Sequence, residues 1–440
     1  MLKRKIEDFF EKWKATPERN PLIIKGCRQC GKTFSVLKFA RENYGHVIYL
    51  NFFLNPDYGS IFSGSLEVDN LVMLMSALLG KEAVFVPGDT VIVLDEIQAC
   101  PDARTALKFF KLDGRFDVMG TGSLLGVKGY GNKNPKSIPV GYETVIDMYP
   151  LDFEEFLWAN GVGEPIILLL RQYLADEHPV PEALHSRLSH LLLQYTVTGG
   201  MPAAVQKFMD TRQMNEVLDI QRGIVRGYED DMVKYAEKAD KTLIRECFES
   251  IPKQLSRENK KFQYSTVKKG STSARFAGSL QWIEDAGIIS RCYNLSIPEL
   301  PLDGNAEKDT FKVYMKDTGL FISMLEDGTQ FDVLQGNLYG YKGAVFENLV
   351  ADFFTKMGRK LYYYRKDSGL EVDFVIRYKG RCTLIEVKAK TGNVKSTKTI
   401  LGHPEKYHVG GAIKLGDYNV GRSGKILTLP LYMGFLLTEV

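Results

Sequence analysis

The sequence predicts an α/β protein of two or three domains, and three observations carry that expectation. Apolar runs of strand length alternate with amphipathic helical stretches through residues 22–123, the pattern of a mostly parallel sheet covered by helices. The loop GCRQCGKT at residues 26–33 joins one such strand to one such helix. At 440 residues the chain also exceeds the roughly 300 residues at which a single hydrophobic core stops growing.

Composition narrows the class. With 44% hydrophobic and 25% charged residues the chain is a folded protein rather than a disordered or fibrous one. A net charge of +3 from 57 basic and 54 acidic residues gives no general affinity for nucleic acid, so such a surface would have to be a local patch. No stretch reaches the roughly 20 apolar residues of a membrane span; residues 71–80 and 427–437 read as core segments. The opening MLKRKIEDFFEKWK lacks the apolar centre of a secretory signal. A cytoplasmic protein without a membrane partner is expected. Six scattered cysteines make no disulfide framework in a chain this large.

The elements follow in order. Ile6, Phe9, Phe10 and Trp13 fall at helical spacing and predict an amphipathic helix on the first domain. Strands are expected at 22–26, 47–52, 91–96 and 115–123, and helices at 33–45, 66–80 and 102–113. Gly, Lys, Asn and Pro crowd residues 126–141, which reads as a surface loop. Helical patterning resumes at 151–160 and runs to about residue 250. Residues 273–295 predict a helix that breaks at Gly287 into an extended run, compatible with a winged-helix unit or a protein–protein spacer. Lys260, Lys261, Lys268, Lys269 and Arg275 precede it, either as a phosphate-contacting patch or as a solvated loop. The last part predicts a helix at 341–358 and strands at 361–365, 371–378, 382–389 and 426–433.

Gly26, Gly31, Lys32 and Thr33 satisfy G-x-x-x-x-G-K-[ST] between a strand and a helix, the context required of a phosphate-binding loop. Its backbone, through Cys27, Arg28, Gln29 and Cys30, would wrap phosphate oxygens. Lys32 would bring charge to the outer phosphates and Thr33 would ligate Mg2+. Four apolar residues at 91–94 deliver Asp95 and Glu96 to a strand end. There Asp95 would hold the metal through water and Glu96 would polarise the attacking water. Thr121 and Ser123 on the next strand are candidates for sensing the terminal phosphate. The C-x-x-C of Cys27 and Cys30 reads as small side-chain filling of a loop committed to phosphate.

With GTGSLLG at 120–126 and PLDFEEFL at 150–157, these residues resemble a large prokaryotic family of AAA-like P-loop ATPases whose members read GxRQxGKT, DEIQ and TGSS. Arg28 and Gln29 stand at the family positions, DEIQ is intact at 95–98, and the chain departs at Leu124. The resemblance implies ATP binding and hydrolysis. It also implies an AAA-like domain with a helical lid at 1–190, a helical and winged-helix-like segment at 191–325, and a restriction-endonuclease-like α/β domain at 326–440. Relatives carry a Gly-Arg pair after the sensor strand where this chain has PVGY at 139–142. Arg28, Arg104 and an arginine from a second subunit therefore stand as alternatives for the arginine completing phosphate chemistry, the last requiring a homo-oligomer or protein partner.

In a strand, residues i and i+2 share a face. Glu371 and Asp373 therefore point together, as do Glu386 and Lys388, opposite Val372, Phe374, Ile385 and Val387. If the strands are neighbours, Asp373 and Glu386 converge on a hard divalent cation, with Glu347 as a third carboxylate and Lys388 beside the attacking water. An ordinary solvated sheet face is the alternative. The set resembles the PD-(D/E)-x-K nuclease arrangement, with Glu347 as helical acid, Asp373 and Glu386 as strand acids and Lys388 as catalytic lysine, although no Pro precedes Asp373. Residues 400–440, with Lys406, His408 and Lys414, would complete that fold. The resemblance implies Mg2+ or Mn2+ at this site and double-stranded DNA as partner. The competing expectation is a nucleotide-gated interaction or DNA-binding regulatory protein with an inactive nuclease-like domain.

Overall fold

A computed structural model describes residues 2–123, 141–235, 241–257, 260–270, 272–337, 341–388 and 394–438. Its first layer is a five-stranded parallel sheet of β1 (Leu22–Lys25), β2 (His46–Asn51), β3 (Thr90–Asp95), β4 (Asp117–Gly122) and β5 (Thr144–Asp147), in the order β2-β3-β4-β1-β5. Both faces of the sheet's centre are covered, so β1 and β3 are largely apolar. Leu22, Ile24, Val91 and Val93 pack on one side with the helices Lys5–Ala15 and Lys32–Asn43. Ile23, Ile92 and Leu94 pack on the other with the helices Val68–Leu79 and Pro101–Asp113. In the first helix Phe10 and Trp13 are buried, whereas Phe9, expected on the same face, is 38% exposed. The edge strand β5, paired parallel to β1, has no counterpart in the sequence expectations. It follows the stretch read as a loop, which up to residue 140 lies outside the described residues, as does Leu124.

The middle of the chain is helical. Asp152 caps the helix Phe153–Ala159 in a reciprocal capping box with Glu155. The helices Glu164–Asp176, Glu182–Thr198, Pro202–Thr211, Met214–Tyr235 and Lys241–Leu255 follow. The helix Ser273–Asp285 then leads through Gly287 into the hairpin β6 (Ile289–Leu295) and β7 (Ala306–Met315). This is the helix and extended run expected at 273–295, but β6 also pairs in parallel with β8 (Leu361–Arg365), which pairs with β9 (Glu371–Val372). The hairpin thus belongs to a four-stranded sheet β7-β6-β8-β9, and main-chain hydrogen bonds cross the boundary expected at residue 325.

The last sheet has the order β10-β11-β12-β14-β13, built from β10 (Phe374–Tyr378), β11 (Arg381–Lys388), β12 (Gly411–Gly416), β13 (Gly421–Ser423) and β14 (Ile426–Pro430). The single strand expected at 371–378 is divided at Asp373: residues before it pair with β8 and residues after it with β11. The strand expected at 426–433 stops at Pro430, where a 3-10 turn Leu431–Leu436 begins. The helix Lys342–Lys356 lies against β11 and β7. One apolar cluster runs from Phe10 through the helical middle to Leu437.

Candidate functional site

The phosphate loop is shaped by close approach as much as by sequence. A Cβ on Gly26 would lie 2.1 Å from the Met148 carbonyl oxygen at the end of β5, so only glycine fits there. Gln29 and Gly31 both adopt positive φ, at 63° and 97°. Lys32 is buried, and its Nζ donates to the carbonyl oxygens of Gly26 at 3.0 Å and Cys27 at 2.7 Å.

Asp95 ends β3 with both carboxylate oxygens engaged. Oδ1 accepts from Thr33 Oγ1 at 2.9 Å and from Thr121 Oγ1. Oδ2 accepts from Tyr49 OH and Asn51 Nδ2, each at 2.7 Å. Glu96 follows with φ 54°, and its Oε2 accepts from Ser123 Oγ at 3.0 Å and from Gln98 Nε2. The fold therefore sets Thr33 and Thr121 on one acid and Ser123 on the other. Thr33 and Asp95 supply oxygen donors suited to Mg2+.

Several neighbours carry no sequence signal of their own. Arg4, the N-cap of the first helix, is buried; it donates to Cys30 O at 3.0 Å, Tyr149 O at 2.7 Å and Glu155 Oε1 at 3.1 Å. Arg28 forms an ion pair with Asp231 of the helix Met214–Tyr235, and Tyr228 OH of that helix donates to Arg28 O at 3.1 Å. Gly287, at φ 77°, lies so close that a Cβ there would be 3.1 Å from Cys27 N. Arg104 is held by both oxygens of Glu143. Only the tertiary fold could reveal these contacts, because each partner lies far away in sequence.

At the C-terminal cluster Glu347, Asp373, Glu386 and Lys388 are also neighbours, but cations and hydrogen-bond donors already occupy the acids. Glu347 Oε1 is ion-paired with Lys260, and its Oε2 accepts from Tyr314 OH at 3.1 Å with Lys312 Nζ 3.9 Å away. Burial would raise its pKa, yet Lys260 and Lys312 outweigh burial and lower it. Asp373 Oδ2 accepts Val387 N at 2.8 Å, where the divided strand leaves the ladder, and lies 3.8 Å from Lys388 Nζ. Burial, then Glu347 and Glu386, push its pKa up to about 7. Glu386 accepts from Thr397 Oγ1 at 2.6 Å and pairs with Lys388 Nζ at 2.7 Å. Glu371, expected beside Asp373, instead pairs with Lys312 at 2.9 Å. Among the described residues no three His, Cys, Asp or Glu side chains are grouped to hold a metal ion. In this arrangement Lys260, Lys312 and Lys388 supply positive charge beside Glu347 and Glu386.

Of the basic residues near 260–275, Lys260 is committed to Glu347 and Lys268 pairs with Glu246 at 3.0 Å. Lys261 lines a cleft of about 970 Å³ with Asn294, Tyr363, Arg365 and Lys366. Lys406 lies over Tyr407, His408 hydrogen-bonds Glu299, and Lys414 lies over Tyr418. No helix among the described residues is long and apolar enough to cross a membrane.

Residues 18–157 match the family model described as an AAA domain. Residues 189–330 and 342–432 match two domains of unknown function, DUF8612 and DUF4143. No curated protein matches the sequence. Similar solved structures include a Walker-type ATPase of Pyrococcus abyssi, 14% identical over 74% of this chain and 96% of that one, with TM-score 0.42. Others are the Aeropyrum pernix ORC1 protein in complex with DNA (15%, 76% and 92%, 0.29) and AMPPCP-bound DnaA from Aquifex aeolicus (10%, 65% and 90%, 0.29). The N-terminal part of the chain is thus similar to AAA domains, in keeping with its P-loop and the parallel sheet that carries it.

Proposed function

We propose that this chain is an ATP-driven switch in which turnover at Lys32, Asp95 and Glu96 repositions the helical middle and the nuclease-like C-terminal domain. The observation that carries the reading is the contact of the phosphate loop with the helical middle: Arg28 pairs with Asp231, and Tyr228 caps the Arg28 carbonyl. A phosphate chain competes for the loop groups that now serve the protein itself. Lys32 would exchange the Gly26 and Cys27 carbonyls for phosphate oxygens, and Arg28 would exchange Asp231. Thr33 and, through water, Asp95 would hold Mg2+, which neutralises charge on the phosphate oxygens. Glu96, oriented by Ser123 and Gln98, would draw the proton of the attacking water. Loss of the Arg28–Asp231 pair would release the helix Met214–Tyr235, and with it the hairpin sheet shared with the C-terminal domain.

The C-terminal domain is read as the output module, with double-stranded DNA as its partner. Support comes from the acid and lysine set around Asp373 and from the adjacent cleft of about 970 Å³ bearing Lys261, Arg365 and Lys366. Because lysines neutralise the acids, the module binds rather than cuts in this conformation, which favours the gated-interaction reading over a constitutive nuclease. The switch belongs to a reducing cytoplasm, where cysteines persist as free thiols.

Two measurements test this. Phosphate release from ATP should be abolished by Lys32→Ala, and a wild-type chain that neither binds nor hydrolyses ATP would sink the proposal. Supercoiled and linear DNA incubated with Mg2+ or Mn2+, with and without ATP, should stay intact. Cleavage that disappears in Asp373→Ala and Lys388→Ala would overturn the binding-only role.

A further inference from the structure

The C-x-x-C of the phosphate loop has no part in that mechanism, yet its surroundings are unusual for inert filling. Cys27 and Cys30 are 5% and 0% exposed and lie close enough for each thiol to shift the other's pKa. Lys32 Nζ lies 4.0 Å from Cys30 Sγ, and Arg4 donates to the Cys30 carbonyl. Cys30 Sγ also contacts Met148 O at 3.4 Å. Lys32 thus stands beside one sulfur of a buried thiol pair, the setting that favours a thiolate. Cys27 also forms part of the wall of a cavity of about 170 Å³ with Gly26, Ser123, Gly287 and Lys316, room enough for a small polar molecule.

We propose that Cys27 and Cys30 form a peroxide-sensitive dithiol whose oxidation to a disulfide closes the phosphate loop to ATP. The site rests on the nucleotide-binding reading given above. The ligand class is a small hydroperoxide, hydrogen peroxide being the simplest. A thiolate of the pair attacks the O–O bond; the sulfur is oxidised to a sulfenic acid and hydroxide leaves, taking up a proton to become water. The second sulfur attacks the sulfenic sulfur, the S–S bond forms, the S–O bond breaks, and a second water leaves with the remaining thiol proton. One peroxide is reduced and two thiols are oxidised. The direction of the thiol pKa values agrees with this chemistry. The hydrogen bond from Cys27, with Lys32 and Arg4, outweighs burial and brings Cys30 down to about 6, while its partner is raised.

The consequence follows from the loop's geometry. A disulfide draws the sulfurs to about 2.05 Å and fixes residues 27–30 as a ring. The ring holds the Cys27 carbonyl that binds Lys32 and removes the freedom the loop needs to rewrap around phosphate.

The test uses the full-length chain. Reduced protein is treated with graded hydrogen peroxide, and binding of a fluorescent ATP analogue is followed beside intact mass and peptide mapping. The expected result is loss of two hydrogen masses, a linked Cys27–Cys30 peptide, and affinity weakened at least about ten-fold, or roughly 1.4 kcal/mol. Dithiothreitol should restore it. Cys27→Ser and Cys30→Ser, each compared with its own untreated form, should form no such link and show no peroxide-dependent change in affinity. The proposal falls if peroxide yields no linked peptide, if the linked protein binds the analogue undiminished, or if both serine variants lose affinity to peroxide as the wild type does. Reduced wild-type protein that fails to bind the analogue at the outset would instead count against the ATP-binding reading.

Discussion

Lys260, on the segment after the helix Lys241–Leu255, is ion-paired with Glu347 on the helix Lys342–Lys356, and both side chains are largely buried, at 13% and 9% exposure. A side chain of the helical middle thereby serves as counter-ion for an acid of the C-terminal cluster. Removing it leaves Glu347 with Lys312 at 3.9 Å and opens one carboxylate oxygen. Lys260→Ala should therefore bind Mn2+ at least about ten-fold more tightly than wild type by calorimetry. Equal affinities would show that Lys260 does not guard the cluster.

At the nucleotide site Lys32 and Glu96 should separate by role. Lys32→Ala should lose ATP binding. Glu96→Gln keeps the hydrogen-bonding shape beside Ser123 and Gln98 but cannot take a proton, so it should bind ATP while phosphate release falls by on the order of 10²-fold or more. A Glu96→Gln chain turning over at the wild-type rate would remove Glu96 from the chemistry.

A third cluster joins all the parts of the chain and makes a stability prediction. Lys356 Nζ pairs with Asp352 at 2.7 Å and donates to Tyr195 OH at 2.8 Å and Leu151 O at 3.0 Å, with Asp317 3.9 Å away. Lys356→Met leaves Asp352 and Asp317 buried without their cation and should cost about 3 kcal/mol in denaturant unfolding. Pairing it with Asp352→Leu should recover part of that loss, since one of the two uncompensated carboxylates is then gone. A double variant no more stable than the single one would contradict the pairing.

The same cluster carries a pH dependence. Burial, reinforced by Asp317 and opposed by Lys356, raises Asp352 to about 7, above the ordinary value of about 3.9. A carboxyl raised on folding binds more protons in the native than in the unfolded state. Its contribution to stability is full below about pH 4 and is lost as pH climbs through about 7. Asp352→Asn should flatten that decline, which melting curves between pH 4 and 8 would reveal. A slope unchanged by the substitution would assign the pH dependence elsewhere.

If the cleft beside the acid cluster takes DNA, its basic side chains meet phosphates. A shift assay over a salt series with Lys261→Ala and Lys366→Ala should lose about 0.9 of log–log slope for each phosphate contact removed. An identical slope in the double variant would place the contact on another face.

The nucleotide-site residues were legible in the sequence because they lie in short local motifs whose strand-to-helix context is itself local. The alternation of apolar strands and helices likewise revealed the first sheet, except for β5, which has only four residues and alternating partial exposure. In the C-terminal domain, period two pointed to Asp373, Glu386 and Lys388 but assumed one unbroken strand. The ladder changes partner at Asp373, so Glu371 turns to Lys312 instead. Pairing of the hairpin Ile289–Met315 with β8 was equally hidden, since register between distant strands follows from which edge is free in three dimensions.

The sequence by itself determined which groups this protein owns: a phosphate loop, two acids at a strand end, and an acid and lysine set on late strands. Only the tertiary structure decided what those groups face. It set Arg28 on Asp231, Lys260 on Glu347, and Arg4 on the Cys30 carbonyl, because pairing in a folded interior depends on distances between segments far apart in the chain.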